Sequence, residues 1–287
     1  MTTLATTPTV TAQPPAARRA RWRDLLGAEW IKFRSLRSNF AVLAGGILTA
    51  LYVSYNGARQ NYTAWPTFDD DFKRIFDLGH EAFYPPAYLL LMTTAAVVGA
   101  QSVVGEHTSG LIRTTLIAVP ARGRVVAAKA AVVSVVLAVF GLIISVSCLA
   151  ITLAVYGDRI SAFSWSTPGV PRLIAAAVIT FPVSGVIGMA IGSLIRNSAA
   201  TVFALVVNFM IAPMALLAPD DKLLHTGDVL AQVSNSLPYS AWLQLTHLGS
   251  GRITGHHAST TESWISLPAW AVGSLVIAVT ALRCRDV

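Results

Sequence analysis

Six apolar runs, each almost free of charged residues, alternate with polar segments along this 287-residue chain. Crossing a bilayer as a helix takes about 20 mostly apolar residues, because the hydrocarbon core is about 30 Å thick and an α-helix rises 1.5 Å per residue. The runs fall at about Phe40–Tyr55, Ala87–Val104, Ala130–Tyr156, Leu173–Ile195, Ala199–Leu217 and Trp264–Leu282. Pro85 and Pro86 stand just before the second run, where the missing N–H of proline suits a helix start. The third run is the longest, which predicts tilt or an extension beyond the bilayer. Arg196-Asn197-Ser198 reads as a tight polar turn between the fourth and fifth. The pattern therefore predicts an all-α integral membrane protein with six transmembrane helices, occupying residues 39–287.

Ahead of the first run the chain changes character twice. The Thr-, Ala- and Pro-rich residues 1–17 lack the charged start and following apolar stretch of a secretory signal, and are expected to form a disordered cytoplasmic tail. From Arg18, Trp22, Leu25, Leu26, Trp30, Phe33 and Leu36 recur at helical spacing, while Arg21, Arg23, Arg34 and Arg37 fall mostly elsewhere. A basic amphipathic helix is expected over residues 18–38, either lying in the membrane interface or packed on the protein's own cytoplasmic side.

Charge fixes the expected orientation. Only 12% of residues are charged against 54% hydrophobic, about half the charge of a soluble domain. With the N-terminus inside, 14 Lys and Arg fall on the inner side and 7 on the outer, where 10 of the 14 acidic residues also lie. Basic residues favour the cytoplasmic side, so a multi-pass protein of the cell membrane with both termini cytoplasmic is expected. The net charge of +7 is spread over separate helix ends, which argues against a nucleic-acid partner. Cys148 and Cys284 suggest neither a disulfide framework nor a metal cage.

Candidate chemistry is sparse. No GxxxxGK[ST] phosphate cradle occurs, so the chain is not expected to bind or hydrolyse ATP, nor to act as an enzyme. Ser184 lies in the fourth run, but no run contains a histidine to activate it. His225, His247, His256 and His257 share the last outer loop and are expected to be solvated rather than metal-bound. The runs as drawn contain no ionisable residue, which argues against proton coupling and leaves the energy source outside this chain. So few polar residues also disfavour a passive channel. Asn208, Pro182 and Pro213 could line a cavity, mark a hinge or simply be tolerated. Gly185, Gly188 and Gly192 give the fourth helix a flat face suited to packing within the chain or to dimerisation.

The segment after the second run reads Gly105-Glu106-His107-Thr108-Ser109-Gly110-Leu111-Ile112-Arg113-Thr114-Thr115-Leu116, followed by Pro120, Arg122, Arg124 and Lys129. Ser109 is placed to cap a short helix reaching about Val119, with Arg113 outward and Ile112, Leu116 and Val119 on an apolar side. Neither Glu106 nor Arg113 has an evident structural need for charge. The pattern Glu106, Gly110, Ile112-Arg113, Thr115-Leu116, Pro120, Arg122 and Ala128-Lys129 resembles the permeases of the type-2 ABC export family, notably actinobacterial ones. Glu29, Lys32 and Arg34 in the first helix, Leu237-Pro238 and the ending Arg283-Cys284-Arg285-Asp286-Val287 are similar to the same family. Leu111 departs from it, standing where many relatives carry Thr.

That resemblance implies a half-size exporter permease that pairs with a second permease, as homodimer or heterodimer, and with two cytoplasmic ABC ATPase subunits. ATP and Mg would be held by those partners, with no cofactor on this chain. Glu106, Gly110, Arg113, Thr115, Leu116 and Pro120 would form the coupling segment, braced by Trp22, Glu29, Trp30, Lys32 and Phe33 against membrane lipids. The alternative is a membrane-anchored accessory or immunity protein that transports nothing.

Overall fold

A computed structural model describes residues 21–110, 121–157, 159, 165–217, 227–248 and 259–284. The expected tail over 1–17 lies outside them, as do Arg113, Thr115, Leu116, Pro120, His225, His256 and His257. Among the described residues every regular element is helical. Six helical segments are long and apolar enough to cross a membrane, and they coincide with the six apolar runs.

The chain begins with α1, Trp22–Ser35, and turns at Leu36 into α2, Arg37–Ala64. Two short helices follow, α3 over Asp70–Ile75 and α4 over Leu78–Ala82, each opened by an aspartate whose carboxylate accepts a backbone N–H. The second crossing helix, α5, spans Pro85–Thr108 and the third, α6, spans Arg122–Tyr156. The fourth, α7, covers Val170–Ile195 and continues unbroken through Pro182.

The fifth crossing segment is interrupted. Helix α8, Ser198–Val206, passes through a π-helical turn at Val207–Ile211 into α9, Ala212–Leu217. The N–H of Ala212 reaches back to the carbonyl of Val207, and the next residue, Pro213, has no N–H with which to resume the ladder. Asn208 sits in that turn, so the helix is locally distorted beside Asn208 and Pro213 rather than running through them unchanged. Between the last two crossings lie α10, Gly227–Ser236, and α11, Pro238–Thr246; the sixth crossing helix is α12, Thr260–Cys284.

Helix α7 is the hub, packing against α5, α6, α11 and α12. Its glycines explain why. A Cβ on Gly188 would stand 1.9 Å from the Ala96 carbonyl oxygen of α5, and one on Gly185 would stand 2.3 Å from the Leu137 side chain of α6. Gly192 continues the contact against Ala100 and Val104, and Gly99 of α5 meets the Gly185 backbone from the other side. Of the two uses open to this glycine face, packing inside the chain is the one it serves. Helix α11, far from being a loop, is buried: Trp242 stacks on Tyr88 with ring centroids 3.7 Å apart.

Candidate functional site

Helices α1, α5 and α6 converge at the end of the bundle where the chain leaves α5. On α1, Leu25, Glu29 and Phe33 recur every fourth residue, so one stripe turns inward and carries Glu29 with it. Helix α5 continues past its apolar run, placing Glu106 in its last turn. Helix α6 starts at Arg122, eight residues before the apolar run, which brings Lys129 into the helix and toward the other two.

These residues close a ring of alternating charge. The Lys129 ammonium lies 2.5 Å from Glu29 Oε2 and 2.8 Å from Glu106 Oε1. The Lys32 ammonium lies 2.8 Å from Glu29 Oε1 and 2.9 Å from Glu106 Oε1. Glu29, Glu106 and Lys129 are buried, at 5%, 8% and 7% exposure, and Lys32 is partly exposed. Burial would lower the Lys32 pKa, but hydrogen bonds to Glu29 and Glu106 outweigh it and hold the pKa above its ordinary value. Two carboxylates and two ammoniums cancel, so the ring carries no net charge into a poorly solvated place. Removing one member of such a buried set costs about 3–5 kcal/mol, because a neighbour is left uncompensated. A cavity of about 240 Å³ adjoins the ring, lined also by Gln101, Ser102 and Ser109.

The expectations change accordingly. Glu106 belongs to α5 and has a structural partner in each of two lysines, which corrects the view that nothing there requires a charge. Ser109 is the C-cap of α5, its hydroxyl donating to the Gly105 carbonyl at 2.7 Å, and Gly110 follows in the left-handed conformation at φ +72° that ends helices. The crossing helices are not free of buried charge, since Glu106 and Lys129 sit near their ends. Lys129 is the residue sequence reasoning missed as a buried partner; its signal was a lysine one residue before an apolar run, at the spacing of a helix already under way. On α1, Trp22 and Trp30 are exposed, at 43% and 45%, while Phe33 is buried beneath Trp30, stacked at 6.5 Å. Arg122 ties the start of α6 to the end of α12 by donating to the Leu282 carbonyl at 2.7 Å.

The opposite end holds a second polar knot. Asp77 accepts the N–H groups of Gly79 and Leu248, both at 2.8 Å, and its Oδ2 lies 2.5 Å from His247 Nδ1. Arg172 donates to the carbonyls of Leu245 and His247. His247 is thus half-buried and paired, not solvated as its loop position suggested. Ser184, in the hub helix, donates its hydroxyl to the Thr180 carbonyl at 2.9 Å.

Residues 27–287 match the family described as ABC-2 family transporter protein. The chain belongs to that family. No curated protein matches it. It is accordingly a permease component of an ABC transporter, a multi-pass membrane protein of a kind that associates with ABC ATPase subunits. In such ABC-2 transporters the membrane subunits are generally not catalytic and the ATPase is a separate subunit. The charge ring of this ABC-2 permease joins three of its helices, α1, α5 and α6, at one end of the bundle.

Proposed function

We propose that the chain is the membrane half of an exporter in the cell membrane, both termini cytoplasmic, pairing with a second permease and two ABC ATPase subunits. The ATPases hold ATP and Mg, and the substrate is hydrophobic or amphipathic, in keeping with the apolar crossing helices. One observation carries this reading: the buried ring of Glu29, Lys32, Glu106 and Lys129 joins α1, α5 and α6 where the segment 110–120 departs. A motor that displaces this segment, which includes Arg113, Thr115, Leu116 and Pro120, pulls on the end of α5. Helices fastened by buried charges respond as one body rather than fraying singly. Trp22 and Trp30 rest among the membrane lipids and hold α1 at the interface.

The test is co-expression with the partner ATPase, reconstitution in proteoliposomes and measurement of substrate-stimulated hydrolysis. Glu106→Ala, Lys129→Ala and Arg113→Ala are each expected to insert and to co-purify with the ATPase, yet to lose most of the stimulation and transport. The paired swap Glu106→Lys with Lys129→Glu restores the alternating ring and is expected to recover coupling. Full transport and normal stimulation in the single variants overturns the proposal. So does a stable permease for which no ATPase partner can be found, the outcome expected of an accessory protein.

A further inference from the structure

Outside the charge ring, a groove of about 680 Å³ lies between α10 and α12. Its construction can be read residue by residue. Two hydrogen bonds tie the helices together at one place, since Ser266 Oγ and Trp270 Nε1 both donate to the Ser236 carbonyl, at 2.8 and 2.6 Å. Below that tie, Ala269 and Gly273 follow one another at four-residue spacing, and Ile277 extends the same face. Nothing lies within 4 Å of where a Gly273 Cβ would be, so the glycine leaves space rather than making a close contact. The lining also carries polar groups: Gln232 and Asn235 of α10, and Glu262 in the first turn of α12.

Glu262 Oε2 accepts the Ser259 N–H at 2.7 Å in a capping box, and among the described residues the groove's lining includes no lysine or arginine. A carboxylate and two amides therefore line a groove that is otherwise largely apolar. From Glu262 to Ile277 the channel follows fifteen residues of helix, about 22 Å at 1.5 Å per residue, somewhat more than one hydrocarbon leaflet of about 15 Å. Because α12 is a crossing helix with Ile265 and Ile277 exposed, the groove opens sideways into the hydrocarbon.

We propose that this groove binds an amphiphile with one long hydrocarbon chain and an ammonium head, admitted laterally from the bilayer. The head pairs with Glu262 and hydrogen-bonds to Gln232 and Asn235, while the chain lies along Ala269, Gly273 and Ile277. An anionic head meets a carboxylate without a compensating cation, and a bare alkane leaves the polar end unpaired. The assignment deepens the export reading by naming a substrate class, and it rests on that reading only for the step after binding; binding itself requires no ATPase.

The experiment uses the full chain, purified alone in micelles of a neutral maltoside detergent, with hexadecylamine carrying a nitroxide near its chain end as probe. A saturable immobilised signal is expected, displaced by unlabelled hexadecylamine but not by hexadecanol or hexadecanoate. Glu262→Gln keeps the capping box and removes the charge of an exposed carboxylate, so it is expected to weaken binding about fivefold, the range of an exposed ion pair. Gly273→Trp fills the channel and is expected to abolish the immobilised signal while leaving the protein folded, as a thermal melt checks, since its Cβ meets nothing within 4 Å and the groove borders it. Equal displacement by hexadecanol, or unchanged affinity in Glu262→Gln, overturns the ammonium assignment. An immobilised signal that survives Gly273→Trp puts the probe elsewhere, and probe-insensitive crosslinks between copies at Gly273→Cys show that a second copy fills the groove; either result overturns the site. Failure of ATP-driven transport in a protein that still binds the amine bears on the export reading alone.

Discussion

Glu81 shows how a single side chain on the loop side of the bundle stores a pH dependence. Burial on α4 raises its pKa above the ordinary carboxylate value, and hydrogen bonds donated by Asn61 and Tyr156 offset only part of that rise. A carboxyl whose folded pKa exceeds its unfolded value binds its proton more tightly when folded, so the fold loses stability as pH rises from the ordinary carboxylate range through the folded pKa. Glu81→Gln keeps an acceptor for Asn61 and removes the charge. Its thermal midpoint is expected to exceed that of the unchanged protein at neutral pH, with the difference vanishing below the ordinary carboxylate range. A constant difference across the titration contradicts this account. At the same scale, Glu29 and Lys129 mark the limit of reading residues singly. Each looks like an ordinary charged residue at the edge of an apolar run, and only the approach of three helices makes them partners.

At the scale of elements, the helices are set by apolar length and their contacts by the absence of side chains. Gly188 and Gly105 separate the two effects. A methyl group at Gly188 collides with the Ala96 backbone, whereas one at Gly105 meets nothing within 4 Å. Gly188→Ala is expected to lower stability by at least ~1–3 kcal/mol, the usual cost of forcing extra volume into a packed contact. Gly105→Ala is expected to be neutral or to gain up to ~1 kcal/mol from better helix propensity. Thermal unfolding followed by tryptophan fluorescence distinguishes them, and equal midpoints for the two variants would sink the close-packing argument. The glycine face of α7 was legible from the three- and four-residue spacing of Gly185, Gly188 and Gly192. Its partner on α5 was less so, because Ala95, Ala96, Gly99 and Ala100 are small residues in a run full of small residues, and which of them face α7 depends on the helix rotation.

The whole molecule adds orientation. Native cysteines supply probes, since Cys284 is exposed at the end of α12 and Cys148 is buried in α6. With both termini cytoplasmic, a membrane-impermeant maleimide is expected to label Cys284 only after the membrane is opened, to leave Cys148 unlabelled, and to reach Asp70→Cys from outside intact cells. Labelling of Cys284 in intact cells reverses the orientation. The two ends of the bundle also differ in kind. One is fastened by the four-charge ring and by Arg122 on the Leu282 carbonyl, the other by Asp77, His247 and Arg172 reaching across α4, α7 and the end of α11.

The amino-acid order alone determined the six crossings, the amphipathic helix before them and the family resemblance, because each is a one-dimensional property: a length of apolar chain, a 3.6-residue period, a spacing of charged and glycine residues. It left Pro182 and Pro213 alike, and only the structure separates the helix that runs on through Pro182 from the one that turns π-helical before Pro213. Tertiary structure decided that the Leu25–Glu29–Phe33 stripe, and not the Trp22–Trp30 one, faces the bundle. It extended α5 and α6 beyond their apolar runs until Glu106 and Lys129 met, and it buried α11 where a loop was expected. Those outcomes turn on helix rotation and on which charges find opposite charges within 3 Å, and such pairings exist only once distant parts of the chain stand side by side.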